Sequence, residues 1–329
     1  MPFIDQVGNL ATAVDDTDGY FSGGRFIIPG GVVDDDVIVD DVQAFDPDSG
    51  DTTIVATLPQ PVGYTAAAPY PPDGTIYTLG GIVGDTNDAT PIYEFDVANE
   101  SVGKVADLNT GRDNHTAVYN PGTETIFCWG ANPVGQDGPN FSSPIEEFDP
   151  GDYSVTDVGS TNPTYKDIAS VYLNGSMYQM FGDQGAEYVT ADVYEITENG
   201  GYSEVGTLTL DGDPYPMSTT RATQVGGNIY TFAGSVADGS GGFDDIDTVF
   251  RFDTSWALEE IGTTARVFSD AIPAVDPSTD RVYNAGGSNR STQTSYSDVY
   301  VVGAGSAGST EFAAPGNRIV LLREDLGHL

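Results

Sequence analysis

An apolar run that stops on glycine recurs six times along this chain: FIIPGG, TIYTLGG, TIFCWGA, SMYQMFGD, NIYTFAGS and RVYNAGG. The first glycines are Gly30, Gly80, Gly130, Gly182, Gly234 and Gly286, so the steps are 50, 50, 52, 52 and 52 residues. A fixed period in this range marks a repeat architecture, whose units cannot bury their faces alone and lean on their neighbours. Six units take up nearly all of the 329 residues, which argues for one closed body rather than two unlike domains.

Four strand-like pieces recur in order within each period. The innermost candidates are short and rich in small residues: LATAV (10–14), YTAAAPY (64–70), HTAVY (115–119), DIASVY (167–172), RATQV (221–225) and DAIPAV (270–275). The glycine-ended runs come second. The third pieces align Phe45, Phe95, Phe148, Ile196, Phe252 and Val302 in one column. About ten residues on, a fourth column aligns Val55, Val105, Val158, Val205, Ile261 and Phe312. Alternation bounded by Gly, Pro, Asp and Asn is strand-and-turn chemistry, and no 3.6-residue apolar period competes with it. The pattern predicts an all-β, six-bladed β-propeller of four-stranded antiparallel blades, near 10–60, 61–110, 111–160, 161–210, 217–264 and 265–314.

A glycine doublet, a polar loop and then an aromatic-Asp-Pro strand resemble the kelch repeat, and GRDNHTAVYNPGTETIFCWG resembles its passage from one blade into the next. The sequence departs from that pattern in keeping only three intact doublets and, of the usual fourth-strand tryptophans, only Trp256 near that place. Two closures of the ring are open. STEFAA (309–314) fits the fourth column of the last blade, whereas FIDQVGN (3–9) resembles SEVGT and EEIGT and could complete the same blade from the other end. The tail, 315–329, carries the apolar run Ile319 to Leu322 and reads as an extra strand or a docking peptide.

Fifty acids face eleven bases, only two of them lysine, for a net charge of −39 spread along the whole chain. Such dispersed acidity resembles proteins of salt-loving archaea, where molar salt shortens the Debye length to about 3 Å and screens self-repulsion. Acidity aimed at a cationic partner would instead gather on one patch. The charge argues against a nucleic-acid partner, which needs a Lys/Arg stripe. No apolar run approaches the ~20 residues of a membrane span, so membrane insertion is not expected. The start of the chain has neither a basic n-region nor a long apolar segment, which leaves a salt-rich cytoplasm or a virion surface as settings.

One cysteine (Cys128) and two histidines (His115, His328) are too few for a zinc or iron–sulfur site. Neither a G-x-S-x-G elbow nor an H-E-x-x-H helix is present. No catalytic residues are assigned and no cofactor is expected. Clustered carboxylates on loops suit calcium instead, with weak candidates at Asp16 and Asp18 in DDTDGY and at Asp244 and Asp245 in GSGGFDDID. The kelch resemblance implies a binding face built from the fourth-to-first and second-to-third loops. It sets Arg112 and Arg266 at equivalent places near the axial mouth, with Asn114, His115 and Arg290 on the same face. There the arginines either hold an anionic ligand or pair with Asp113 and Asp270. Phe141, Tyr188, Phe243 and Tyr296 add aromatics on polar loops. The expected role is a non-enzymatic binding or assembly module for a protein or surface glycan, within a larger complex such as an adhesion or tail-fibre particle. The alternative is a mutarotase- or lyase-like enzyme acting on carbohydrate. On this reading, Arg112→Ala with Arg266→Ala removes partner capture and leaves unfolding unchanged.

Overall fold

The computed structural model describes residues 4–84, 86–87, 89–131, 142–184 and 188–302. It contains six four-stranded antiparallel sheets. From axis to rim, blade one is Tyr20–Ser22, Arg25–Pro29, Asp41–Phe45 and Thr52–Thr57. Blade two runs Ala66–Tyr70, Thr75–Leu79, Pro91–Asp96 and Ser101–Asp107, and blade three Thr116–Asn120, Thr125–Trp129, Ser143–Asp149 and Ser154–Thr161. Blade four is Ala169–Leu173, Ser176–Met180, Asp192–Ile196 and Tyr202–Thr207; blade five is Ala222–Val225, Asn228–Ala237, Phe243–Phe252 and Glu259–Thr263. Blade six takes Ile272–Asp276, Arg281–Ala285 and Asp298–Val302 from one end of the described chain and Ile4–Asn9 from the other. The innermost strands touch in blade order, and blade six returns to blade one.

The core is divided as this architecture requires. Six apolar clusters lie between adjacent blades, one per interface, and all six members of the third-strand column are buried. Cys128 is inside one of them, where burial pushes its thiol up to about 12 and leaves it an inert apolar filler.

The recurring glycines join the blades. The N–H groups of Gly31, Gly81, Ala131, Gly182, Gly234 and Gly287 donate to Val62, Arg112, Tyr165, Met217, Phe268 and Val14 of the following blade, at 2.7–3.0 Å. Both positions of each doublet have positive φ, including the non-glycines Phe181 and Ala233 at the first position and Ala131 at the second. The true first column is therefore Gly30, Gly80, Gly130, Phe181, Ala233 and Gly286. Counting the lone glycines Gly182 and Gly234 as first members slipped that frame by one in blades four and five.

At the second position, Ala131 sits at φ 65, within the left-handed region a side chain can reach, whereas Gly287 sits at φ 100. A Cβ on Gly287 would lie 2.7 Å from the Phe268 ring and 2.9 Å from the Ser269 carbonyl. Gly287→Ala is expected to lower stability by about 1–3 kcal/mol, read as a lower melting temperature in molar salt. Gly103→Ala is the control, because its φ is not positive and its Cβ meets nothing within 4 Å.

The fourth column has a geometric identity. In every outer strand one residue is bulged out of register with the third strand: Val55, Val105, Val158, Val205, Ile261 and Val7. The sixth member is thus Val7 and not Phe312, and the ring is closed by Ile4–Asn9. Residues 309–314 and the tail 315–329 lie outside the described residues. A second correction concerns LATAV: residues 10–14 form no strand, and the inner strand of blade one is Tyr20–Ser22. The small residues there imitate an inner strand, but Leu10 N–H donates to Ser297 in a connection equivalent to those at Leu58, Leu108 and Leu208.

Candidate functional site at the axial mouth

Where each chain segment enters an innermost strand, one residue per blade takes a left-handed conformation: Asp16, Tyr64, Asn114, Asp167, Thr219 and Asp270, with φ between 49 and 55°. Their backbones are chained round the axis. Asn114 N–H donates to Tyr64, Asp167 to Asn114, Thr219 to Asp167 and Asp270 to Thr219, at 2.7–3.2 Å, and Thr65 N–H reaches Asp16 at 3.3 Å. Asp and Asn tolerate this conformation better than most side chains, which accounts for four of the six.

Five members of the ring, all but Thr219, line a pocket of about 300 Å³. The second-to-third loops of blades one and six wall it, with Asp34, Asp36, Asn289, Arg290 and Ser295 among its lining. The scaffold repeats but this lining does not. Asp15 accepts from the Ser295 hydroxyl at 2.8 Å, Tyr64 donates to Asp36 at 3.1 Å, and Lys166 Nζ stands 3.9 Å from Asp167. Below the ring, Arg221 Nε meets Asp18 Oδ1 at 3.2 Å, an ion pair that crosses the axis from blade five to blade one. Asp18 also accepts from Ala67 N–H of blade two.

Electrostatics set the mouth apart from the acidic surface. Burial, then the charge of Asp270, pushes Asp15 up to about 7. Burial, then the charge of Asp183, opposed by Lys166, pushes Asp167 up to about 7. Asp16 is raised by burial and by Asp270, Asp15 and Asp167, with Arg221 opposing. The folded chain therefore keeps protons on Asp15 and Asp167 that the unfolded chain releases near 3.8. Wherever the native state binds more protons, stability falls as pH rises. Melting temperature in molar salt is expected to fall between about pH 4 and about pH 7 and then level off, and Asp167→Asn should flatten part of that slope.

The expected site residues divide. Asn114 and Arg290 line the mouth. The Arg290 guanidinium lies 4.8 Å from the centre of the Phe243 ring, and the Arg290 backbone N–H donates to Asp245. Arg266 is exposed, stacks 4.9 Å from Tyr296 and pairs with Asp298 at 3.3 Å. Tyr188 is half exposed on a blade-four loop outside the pocket lining. Phe141 lies outside the described residues.

Arg112 is the main correction. Its side chain is 1% exposed and bonded to the fully buried Glu146 at 2.9 Å, so no ligand reaches it. Nor is it equivalent to Arg266. The frame set by the inter-blade bonds aligns Arg112 with Val62, Tyr165, Met217, Phe268 and Val14. His115 is fully buried, and burial, then the nearby Arg112 and Arg221, hold its imidazole well below its ordinary value. It is a neutral core residue.

Among the described residues no three His, Cys, Asp or Glu side chains converge to hold a metal ion. Asp18 is committed to Arg221, Asp245 accepts from Ser235 and Arg290, and Asp244 is exposed on blade five. Sequence reasoning missed Asp15, Tyr64, Lys166, Asp167 and Arg221, and named Asp270 only as a partner for an arginine. The available signal was an Asp or Asn two residues ahead of the inner strand in three blades, as in DNHT, KDIA and SDAI.

No family model matches this sequence, and no curated protein matches it either. Among solved structures, one described as "Structure of YjhT" superposes with a TM-score of 0.68, covering 90% of this chain and 96% of that one at 12% identity. What is shown is the fold, a six-bladed β-propeller. Kelch kinship remains a resemblance of motifs, and at this identity the likeness says nothing about what the mouth binds.

Proposed function

We propose that this chain is a non-catalytic recognition module of a halophilic archaeal cell or a virus of such a cell. It holds a protein or glycan at its axial mouth, as one part of a larger assembly such as an adhesion or tail-fibre particle. The observation that carries this reading is chemical asymmetry on a symmetric frame. Among the described residues, five of the six equivalent backbone positions present Asp, Tyr, Asn, Asp and Asp to one pocket, beside second-to-third loops of two blades. Polar residues without structural repetition on loops of a rigid scaffold are where binding sites are usually carried. The net charge of −39 supports the halophilic setting, and cooperative folding should be lost when molar salt is dialysed away, followed by circular dichroism. A melt unaffected by salt would remove that setting.

The functional test is recovery of neighbours from the native assembly in molar salt, with wild type or Asp167→Asn as bait, beside a glycan array. Selective loss of one neighbour or glycan from the variant supports the reading, and identical recovery overturns it. One observation favours a second reading, a mutarotase- or lyase-like enzyme. Asp15 and Asp167 both exchange protons near neutrality, which suits general acid–base work. Turnover of a captured sugar, abolished in Asp167→Asn, would favour it.

A further inference from the structure

Acid on the surface and acid at the axis have different physical meanings. Exposed carboxylates stay hydrated and are screened by salt. Asp15, Asp167 and Asp270 are 4%, 5% and 5% exposed, so they have given up most of their water and need donors in exchange. A salt-adapted surface does not explain them.

The resident donors fall short. Asp270 accepts from the Ser269 hydroxyl through Oδ2, while its buried Oδ1 lacks a hydrogen-bond partner although the residue lines the pocket. Lys166 is 3.9 Å from Asp167, the Arg290 guanidinium is stacked on Phe243, and Arg221 is paired with Asp18. Both arginines act on Asp270 through their charge, but neither donates to its Oδ1. Asp16, Asp167 and Asp270 come from blades one, four and six, yet Asp16 senses the charge of both others. Three carboxyl groups thus surround one space, and a cation bound among them favours their ionised forms. A bare calcium ion needs six or more oxygens at 2.3–2.6 Å, and no three acids among the described residues converge that closely. A larger cation with diverging N–H donors suits the wider spacing.

We propose that the axial mouth binds a primary ammonium group, with Asp270 Oδ1 its main acceptor and Asp16 and Asp167 the surrounding countercharge. This rests on the reading of the mouth as a recognition site and names its ligand class. The group comes from a free alkylamine or from a lysine side chain of a protein partner. Either donates three N–H bonds, charge-assisted by the carboxylates.

The test is calorimetric titration in molar sodium chloride with n-butylammonium, with Nα-acetyl-lysine methylamide and with its Nε-acetylated form. Saturable binding of either of the first two, absent for the acetylated form, is the expected result. Tighter binding of butylammonium assigns a free amine, and tighter binding of the lysine derivative assigns a protein partner. Asp270→Asn should weaken binding about tenfold or more, the loss of one charge-assisted hydrogen bond. Asp16→Asn should weaken it as well, and Glu204→Gln on the exposed rim of blade four should not. Melting curves in the same buffer show that each variant is folded. No saturable binding, equal binding of the acetylated form, or an unaffected Asp270→Asn overturns the proposal. So does calcium chloride alone displacing the amine from wild type. If the amines fail while Asp270→Asn still loses its neighbours in the native assembly, the ammonium class falls and the recognition reading stands.

Discussion

Replacing Arg112 with alanine lowers the stability of the folded chain by about 3–5 kcal/mol, the usual consequence of stranding one member of a buried ion pair. Arg112 and Glu146 are 1% and 0% exposed and bonded at 2.9 Å. The guanidinium also donates to the Pro144 carbonyl at 3.1 Å, and Glu146 accepts from Thr110 N–H at 2.8 Å. The pair therefore ties the connection entering blade three to that blade's third strand. Burial already raises the Glu146 carboxyl, with Arg112 the main influence lowering it. Without Arg112 its folded pKa rises further above the unfolded one, so the loss of stability grows as pH rises above the ordinary carboxylate range. Arg112→Met combined with Glu146→Leu should recover most of the loss, because neither partner is then left buried and charged. Denaturant titrations in molar salt at acidic and neutral pH measure all three variants. An Arg112→Ala protein that melts like wild type but no longer captures a partner would return Arg112 to the binding face.

Deleting residues 1–9 is expected to abolish cooperative unfolding of a soluble monomer. The deletion removes the outer strand of blade six, whose Ile4 and Val7 pack on two different interface clusters. It also bares the edge of Asp298–Val302 and removes the Gln6–Asp298 hydrogen bond of 2.6 Å. An unpaired edge of buried valines is a template for association. Opening the ring there also separates blade six from blade one, so the damage exceeds that of losing one strand. Adding a synthetic peptide of residues 1–10 in excess should restore a cooperative melt. A deletion protein with an unchanged melt would mean that another segment closes the ring.

The glycine period, the third-strand column and the alternation were readable because strand, turn and blade packing act on each unit in the same way. Val7 was also visible in part: VGN and VGT look alike because each outer strand places a bulged aliphatic residue before a small one, and Gly8 meets the Phe45 ring where Gly206 meets Trp256. What misled was spacing. Arg112 and Arg266 each precede an inner strand by a few residues, but only the inter-blade bonds fix the frame, and they place Arg112 level with Phe268, two residues past Arg266.

By itself the sequence determined the number of blades, their four-stranded make-up and the acidic character of the whole, since these follow from local propensity and composition repeated along the chain. Tertiary structure alone decided which strand closes the ring, which arginine is sealed in the core and which aspartates share the mouth. Those facts depend on contacts between blades far apart in sequence, as between Asp18 and Arg221. A carboxylate's meaning changes from solvation to recognition only when folding takes away its water.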